Sequence, residues 1–487
     1  MKTSNIADFY NKGQELIKKN RLDDALNIFL ELSKKDKKSS NILLTIAQIY
    51  TQKNNLVKSK IYLKKAIKIN PNNHVALNNL GNIYSKNNQT KEAIKYYQKS
   101  SNANPKYSTP IFNLATMFEQ MGKLNEAKKF YIKSIKLDKF KFEYYYKLNR
   151  IEDNIIKDAD IEFITKQLKI NKKLSDLSKS NGYFLLAKNE RDKKNIIKEL
   201  DFLSKGHQYF YKSNINNELI KKYWLENIPN ILKNIKFRGS NKIKNNLSPI
   251  FVIGLPRSGT TLVESIICSA SKNIMNGGET AVINKALVNI KGKQLFNNKR
   301  INSDLEISMD DYEKEVIRLY EELNLGGNIF IDKSLENIFF ADLIFNIFPD
   351  SKIINCQRNK FDNLIAIYQQ FFSQLAWSHS LEDIIKYIDN HNSFLDIYKK
   401  KFPNKILTID LEELTTDPET ISKKLLSFCD IVWSEKVLDF YKREDLLSKT
   451  ASNIQIRKQI YKYNKKRFEP YRHYFKDSSL PLKNLDL

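Results

Sequence analysis

Gly254 and Gly259 bracket the part of this 487-residue chain best suited to holding an anion. Pro256, Arg257, Ser258, Thr260 and Thr261 stand between and just after them. Glycines let main-chain N–H groups approach a ligand closely, a guanidinium adds charge, and hydroxyls add donors. PIFVIG (249–254) is a short apolar run that predicts a buried strand, and LVESIICSAS after the loop predicts a helix. A turn between strand and helix aims its N–H groups, and the positive end of the helix dipole, at a phosphate-like group.

The spacing Gly254-x4-Gly259 has the Walker A outline, but Thr260 stands where a lysine should follow. An ATP- or GTP-using enzyme needs that lysine on the transferred phosphate and magnesium on the next hydroxyl. No acidic residue suggests a Walker B position after a strand. This reading stays as an alternative with the missing lysine against it.

The full string PIFVIGLPRSGTTLVESI resembles the 5′-phosphosulfate loop of sulfotransferases, which take their sulfuryl group from 3′-phosphoadenosine 5′-phosphosulfate (PAPS). The resembled variety is the tyrosylprotein-sulfotransferase-like branch, including bacterial proteins with an N-terminal tetratricopeptide array. The resemblance runs over about residues 249–475. It implies that Pro256, Arg257, Ser258, Gly259, Thr260 and Thr261 bind the donor, with Arg257 also acting in catalysis. GGET (277–280) would bring Glu279 as the general base on an acceptor hydroxyl, which is a poor nucleophile until its proton is taken. The bland reading of Glu279 is a charge at the N-terminus of the helix TAVINKAL.

FIDKSLEN (330–337) resembles the family's D-K-x-P-E-N segment. Lys333 would then stabilise charge on the leaving oxygen. Leu335 replaces the usual proline. SKIINCQRN (351–359) predicts a second buried strand, ending in Arg358, with a helix after it. Arg358 would hold the donor's 3′-phosphate. The family's serine eight residues on is Ala366, so a hydrogen bond to a charged group, roughly 1.5–3 kcal/mol, has no obvious source. TASNIQIRKQIY (450–461) resembles a stretch in which Ser452 would assist the lysine. Arg457 and Lys458 would touch donor phosphates, and so, less directly, would Lys466 and Arg467. Gln459 replaces a family proline. LTIDLEELTTDPE (407–419) reads as strand and turn scaffold.

The elements upstream repeat. Gly13, Ala47, Gly81 and Ala115 are 34 residues apart, and so are Ala25, Ser59, Ala93 and Ala127. Phe29, Leu63, Tyr97 and Tyr131 keep the same step. This resembles the tetratricopeptide repeat over about residues 5–140. Small residues let two helices cross closely, aromatic residues fill the gap to the next unit, and stacked units share one core. The aromatic stripe is therefore core rather than ligand site. Residues 141–245 read as a helical bridge, with one more degenerate helix pair near 180–212.

The charge is formally +27, which invites a nucleic-acid reading. Only 12 of the 82 basic residues are arginine, however, and lysine comes with many Asn and Ile throughout. A compositional bias explains the surplus better than a nucleic-acid reader, which leans on arginine. Cys268, Cys356 and Cys429 are far apart and suit reduced, buried thiols; neither cysteine nor histidine spacing offers a metal site. No apolar run reaches membrane-spanning length, and the N-terminus lacks a signal-peptide core. A cytoplasmic protein follows as the expectation.

The expected architecture is multidomain: an all-α tetratricopeptide solenoid (1–140, four units), the bridge (141–245), and a three-layer, P-loop-like α/β sulfotransferase domain with a parallel sheet (246–478). The resemblance implies PAPS as donor, 3′-phosphoadenosine 5′-phosphate (PAP) as product, and no metal. The acceptor hydroxyl stays open among protein tyrosine, carbohydrate and small molecule. The repeats suit a peptide or protein acceptor, or dimerisation of the enzyme. A non-catalytic scaffold with a decayed α/β domain is the other alternative.

Overall fold

The computed structural model describes residues 3–239, 245–296, 306–443, 450, 452–463 and 467–475. The chain folds as two compact units, residues 1–119 with 123–144 and residues 120–122 with 145–487.

The first unit is built from consecutive helix pairs. Thr3–Lys18 pairs with Leu22–Lys35, Ser40–Gln52 with Leu56–Ile69, His74–Lys86 with Thr90–Ala103, and Ser108–Gln120 with Leu124–Leu137. Asn20, Asn54 and Asn88 each end the first helix of a pair in left-handed backbone, at φ 57°, 57° and 58°. Asparagine tolerates that region and stops a helix there, so the 34-residue step is written into the turns as well as the core. The Asn55 side chain then accepts from the N–H of Lys58 at 2.9 Å and caps the next helix. Phe29, Ala47, Ala93, Ala115, Ala127 and Tyr131 are fully buried, as positions between crossing helices must be. Tyr50–Tyr62, Tyr84–Tyr96 and Phe118–Phe130 stack at 5.6, 5.3 and 5.3 Å, the same pair one unit apart each time.

The second unit holds a five-stranded parallel sheet. The strands of the described residues are β1 (Lys236–Arg238), β2 (Ser248–Gly254), β3 (Ile274–Asn276), β4 (Glu306–Ser308), β5 (Ile329–Asp332), β6 (Lys352–Gln357) and β7 (Ile406–Asp410). β1 and β4 form a separate parallel pair, and the sheet runs β3-β5-β2-β6-β7. Central β2 is buried on both faces, as a strand covered by helices on both sides must be. Its side chains alternate between two cores. Phe251 and Ile253 join Phe330 and Ile353 on one face; Ile250 and Val252 join Ile331, Ile354 and Ile409 on the other.

The first of these cores also contains Phe184, Leu203, Tyr223 and Ile228. The segment expected as a bridge therefore packs directly against the sheet. Its helices Asp176–Asp192 and Ile196–Ser213 form the expected extra pair, crossing where the Ser180 hydroxyl donates to the Gly206 carbonyl at 2.7 Å. One local expectation is corrected. The stretch after β7 is two capped helices, Leu411–Thr416 and Pro418–Phe428, rather than a turn, because Asp410 and Asp417 each accept main-chain N–H groups at a helix start. The three cysteines are buried.

Candidate active site

The loop leaves β2 at its carboxyl end, where ligands of open parallel sheets collect. Gly254 has φ +144°, and a Cβ there would lie 2.5 Å from the Cys356 carbonyl oxygen on β6. Arg257 at φ +69° and Gly259 at φ +96° are both left-handed, so successive N–H groups turn to one side, ahead of the loop helix Thr260–Ala270.

Neighbours lock this cradle. Asn363 donates to the Pro256 carbonyl at 2.7 Å, and Arg358 Nη1 donates to the Arg257 carbonyl at 3.2 Å. The Ser258 hydroxyl donates inward to the Leu255 carbonyl at 2.7 Å, so this side chain braces the turn. Thr260 and Thr261 are buried, and Thr261 bonds Thr450 at 3.2 Å.

Three further arginines bear on Arg257 here. Burial, and then the charges of Arg358, Arg150 and Arg467, push the Arg257 guanidinium down to about 10. Arg257 Nη1 donates to the Ser452 hydroxyl at 2.7 Å, bringing two expected site residues together. Arg358, 8% exposed, donates from Nη2 to the Tyr463 hydroxyl at 2.7 Å and lies over the rings of Tyr463 and Phe468. Its buried Nε has no partner. Cations gathered around the loop, with one buried donor of Arg358 unused, are the setting an anion would complete.

Beside β2, strand β5 ends at Asp332, paired in register with Phe251, and Lys333 follows. Lys333 has no exposed surface and its Nζ is 2.9 Å from Oε1 of Glu279, whose side chain is 53% exposed. Its main-chain N–H donates to the Gly278 carbonyl at 2.8 Å. Burial works against the ammonium, but the carboxylates of Glu279, Glu264 and Asp332 outweigh it and hold its pKa above the ordinary lysine value. Base and cation are thus joined.

Asp332, the last residue of β5, puts a carboxylate at the carboxyl end of the sheet. Asp332 accepts from Thr280 Oγ1 at 2.5 Å, Tyr320 at 2.6 Å, and the Ser334 N–H and hydroxyl at 2.9 and 2.6 Å. Its oxygens are taken up in fixing the Glu279 loop to β5, which leaves little for a magnesium ion.

The C-terminal residues are not all brought to this place. Arg457 donates from Nη1 to the Arg443 carbonyl at 2.8 Å, and Lys458 is exposed in extended backbone. Lys466 lies outside the described residues. Tyr463, Asn363, Asp362 and Arg150 escaped the sequence reading. They carry no motif, and each reaches the site only through the fold.

Residues 249–435 match the model of the sulfotransferase family, and residues 40–73, 62–95 and 110–140 match tetratricopeptide-repeat models. An Aquifex aeolicus (strain VF5) protein described only as uncharacterized is 28% identical over 315 residues, 61% of this chain and 40% of that protein. The chain thus spans well under half the length of that relative. Among solved structures, Pseudomonas aeruginosa pilF is similar at TM-score 0.32 and 14% identity, over 41% of this chain and 88% of that one. MamA from Desulfovibrio magneticus RS-1 is similar at TM-score 0.28 and 19% identity, over 34% and 95%. YrrB, described as a tetratricopeptide protein with an unusual peptide-binding site, is similar at TM-score 0.27 and 15% identity, over 37% and 91%.

Proposed function

We propose, for a chain that joins N-terminal tetratricopeptide repeats to a sulfotransferase-family domain, that it transfers a sulfuryl group from PAPS to a hydroxyl acceptor. The observation that carries this reading is the pairing of Glu279 with Lys333 on the strand next to the anion loop. The loop residues 256–261 and Arg358 would bind the donor; the positive charge that three other arginines bring to bear on Arg257 and the unused Nε of Arg358 fit its negative charge. Half-exposed Glu279 would take the acceptor's proton as the acceptor oxygen bonds to sulfur. The bond from sulfur to the bridging oxygen would break, leaving PAP, with Lys333, Arg257 and Ser452 stabilising the charge on that oxygen. Positioning and fixed positive charge suffice for such a step without a metal.

Arg457, already bonded to a carbonyl, and exposed Lys458 have less support as donor contacts than Arg358 has. Under this reading the repeats bind a peptide or protein acceptor, in keeping with the tyrosylprotein branch, or join two copies of the chain. A cytoplasmic location belongs to the same proposal. Ala366, packed in the apolar core where the resembled enzymes have a hydroxyl, favours a second reading: a scaffold whose α/β domain no longer turns over.

The test is transfer of labelled sulfate from PAPS to pooled protein, glycan and metabolite acceptors, with Glu279→Ala as control. Absence of both transfer and PAP-induced thermal stabilisation removes the enzyme reading. PAP stabilisation without transfer to any acceptor leaves the scaffold. Stabilisation by magnesium-ATP but not PAP replaces both with a nucleotide-hydrolysing enzyme.

A further inference from the structure

Glu199 lies on the bridge helix Ile196–Ser213, has no exposed surface, and no expectation assigned it a part. Donors from three elements meet its carboxylate. Arg191, on the preceding helix, places Nε 2.6 Å from Oε1. Gln369 Nε2 donates to the same oxygen at 2.9 Å. The Tyr471 hydroxyl donates to Oε2 at 2.5 Å and itself accepts from Gln369 Nε2 at 2.9 Å.

Two of these partners lead to Arg358. Gln369 closes the helix Lys360–Tyr368, which follows Arg358 and whose Asn363 braces the anion loop. The bridge grips four consecutive residues at this helix end. His207 Nε2 is 3.0 Å from the Tyr368 carbonyl, Glu199 holds Gln369, and the Tyr146 hydroxyl accepts from Gln370 Nε2 at 2.8 Å and the Phe371 N–H at 3.2 Å. Tyr471 belongs to the short helix Glu469–Phe475, and its N–H donates to the Phe468 carbonyl at 3.0 Å. The ring of Phe468, a residue 1% exposed, has the Arg358 guanidinium 5.1 Å from its centroid and that of Arg467 at 5.2 Å. Two arginines expected at donor phosphates thus rest on one ring. Tyr471 pins the turn that carries this ring, and the bridge pins Tyr471.

A buried carboxylate is tolerable only where its oxygens are filled, and filling this one fixes three elements relative to one another. A guanidinium holds a phosphate best when its fork is set before the ligand arrives. We propose that Glu199 and Tyr471 are positioning residues for the donor: through them the bridge sets Phe468, and with it the Arg358 guanidinium, for the 3′-phosphate. The inference rests on the sulfotransferase reading, and its test separates the two.

Tyr471→Phe removes one hydroxyl and leaves Arg191 and Gln369 on Glu199. In the full chain it should weaken PAP binding by about 5- to 30-fold in calorimetric titration. Binding of adenosine 5′-phosphate, which lacks the 3′-phosphate, should change by less than about 2-fold. Glu199→Gln keeps the shape, loses the charge, and should show the same selectivity. In an Arg358→Ala background Tyr471→Phe should cost PAP nothing further. Unchanged PAP affinity, equal losses for the two nucleotides, or an additive cost in that background overturns the proposal.

Hydrogen exchange reads the tie without any nucleotide. Tyr471→Phe should speed exchange of the main-chain amides of Glu469–Phe475 by about tenfold. Unchanged exchange overturns the tie. A wild-type chain that binds neither nucleotide, with faster exchange in the variant, keeps the tie and removes the sulfotransferase reading together with the donor role that rests on it.

Discussion

Lys333 is wholly buried, yet its ammonium meets a carboxylate half in solvent: Nζ is 2.9 Å from Oε1 of Glu279. The two ends of this ion pair therefore respond differently to loss of the other. Glu279→Gln leaves a buried cation with a weakened partner set and should cost about 1–2 kcal/mol, discounted for solvent at Glu279. Lys333→Met replaces the buried charge by an apolar chain of similar volume and leaves Glu279 hydrated, so stability should change by less than about 1 kcal/mol. Either change should lower sulfate transfer at least about 100-fold. Urea unfolding beside a transfer assay checks both; a Lys333→Met chain much less stable than Glu279→Gln would refute the asymmetry.

The cradle itself predicts a steep contrast between two glycines. Gly254 needs both its backbone angle and its missing side chain, since a Cβ would meet the Cys356 carbonyl oxygen at 2.5 Å. Gly326 is also left-handed, at φ +86°, but a Cβ there would meet nothing within 4 Å. Gly254→Ala should cost roughly 3 kcal/mol or more and abolish PAP-induced stabilisation, while Gly326→Ala should cost about 1 kcal/mol and spare it. Thermal melts with and without PAP distinguish the two, and equal losses would show that the β2–β6 contact yields easily.

The same contrast shows what could be read before the fold. The 34-residue step, the strand–loop–helix at 249–270 and the strand ending before Arg358 were legible, because each is local: a period, an apolar run, a glycine between two elements. Asp332 was not. FID reads as the end of a strand only when its partners Thr280, Tyr320 and Ser334 are seen to arrive from three places. Glu264 was hidden by its neighbours, as one acid in an apolar helix gives no hint that it is buried rather than in water. The packing of the bridge was hidden for a similar reason. Its apolar residues have helical spacing, and spacing does not say that Phe184 and Leu203 share a core with the sheet.

Arg358 and Ala366 make a matched pair of tests for the donor. Arg358 is already oriented by Tyr463, which in turn bonds Asp362, so its guanidinium is fixed before any ligand arrives. Arg358→Lys retains charge but loses the planar fork, and should weaken PAP binding by about 10- to 100-fold. Ala366→Ser, on the helix Lys360–Tyr368 that follows Arg358, should tighten it by about 3- to 10-fold if the hydroxyl reaches the phosphate the family's serine holds. The helix can absorb the new hydroxyl by back-bonding to the Asp362 carbonyl, so little stability should be lost. Calorimetric titration with PAP reads both. If Ala366→Ser leaves affinity unchanged, the missing serine does not explain any weakness in donor binding.

Acid should loosen the α/β unit through its buried histidines. His207 and His379 meet at 2.8 Å between Nδ1 atoms, while their Nε2 atoms face the carbonyls of Tyr368 and Phe372 at 3.0 and 2.9 Å. Burial lowers both, His379 to about 4, and His391 falls to about 4 for the same reason. A histidine whose folded value is depressed contributes stability that is complete above the unfolded value near 6.5. That contribution is lost as pH falls towards 4, roughly 3 kcal/mol for each of His379 and His391. Glu264 and Glu336, lifted to about 7 by burial, have the opposite slope: their contribution is complete below about 4.5 and lost as pH rises through 7. The two trends overlap, so variants must separate them. His391→Gln is the cleanest probe, since His391 stands apart from the His207–His379 pair and its buried Nε2 has no partner. The wild-type urea midpoint should fall relative to that of His391→Gln between pH 6.5 and 4.5. Parallel curves over that range would mean that His391 is not held neutral by the fold.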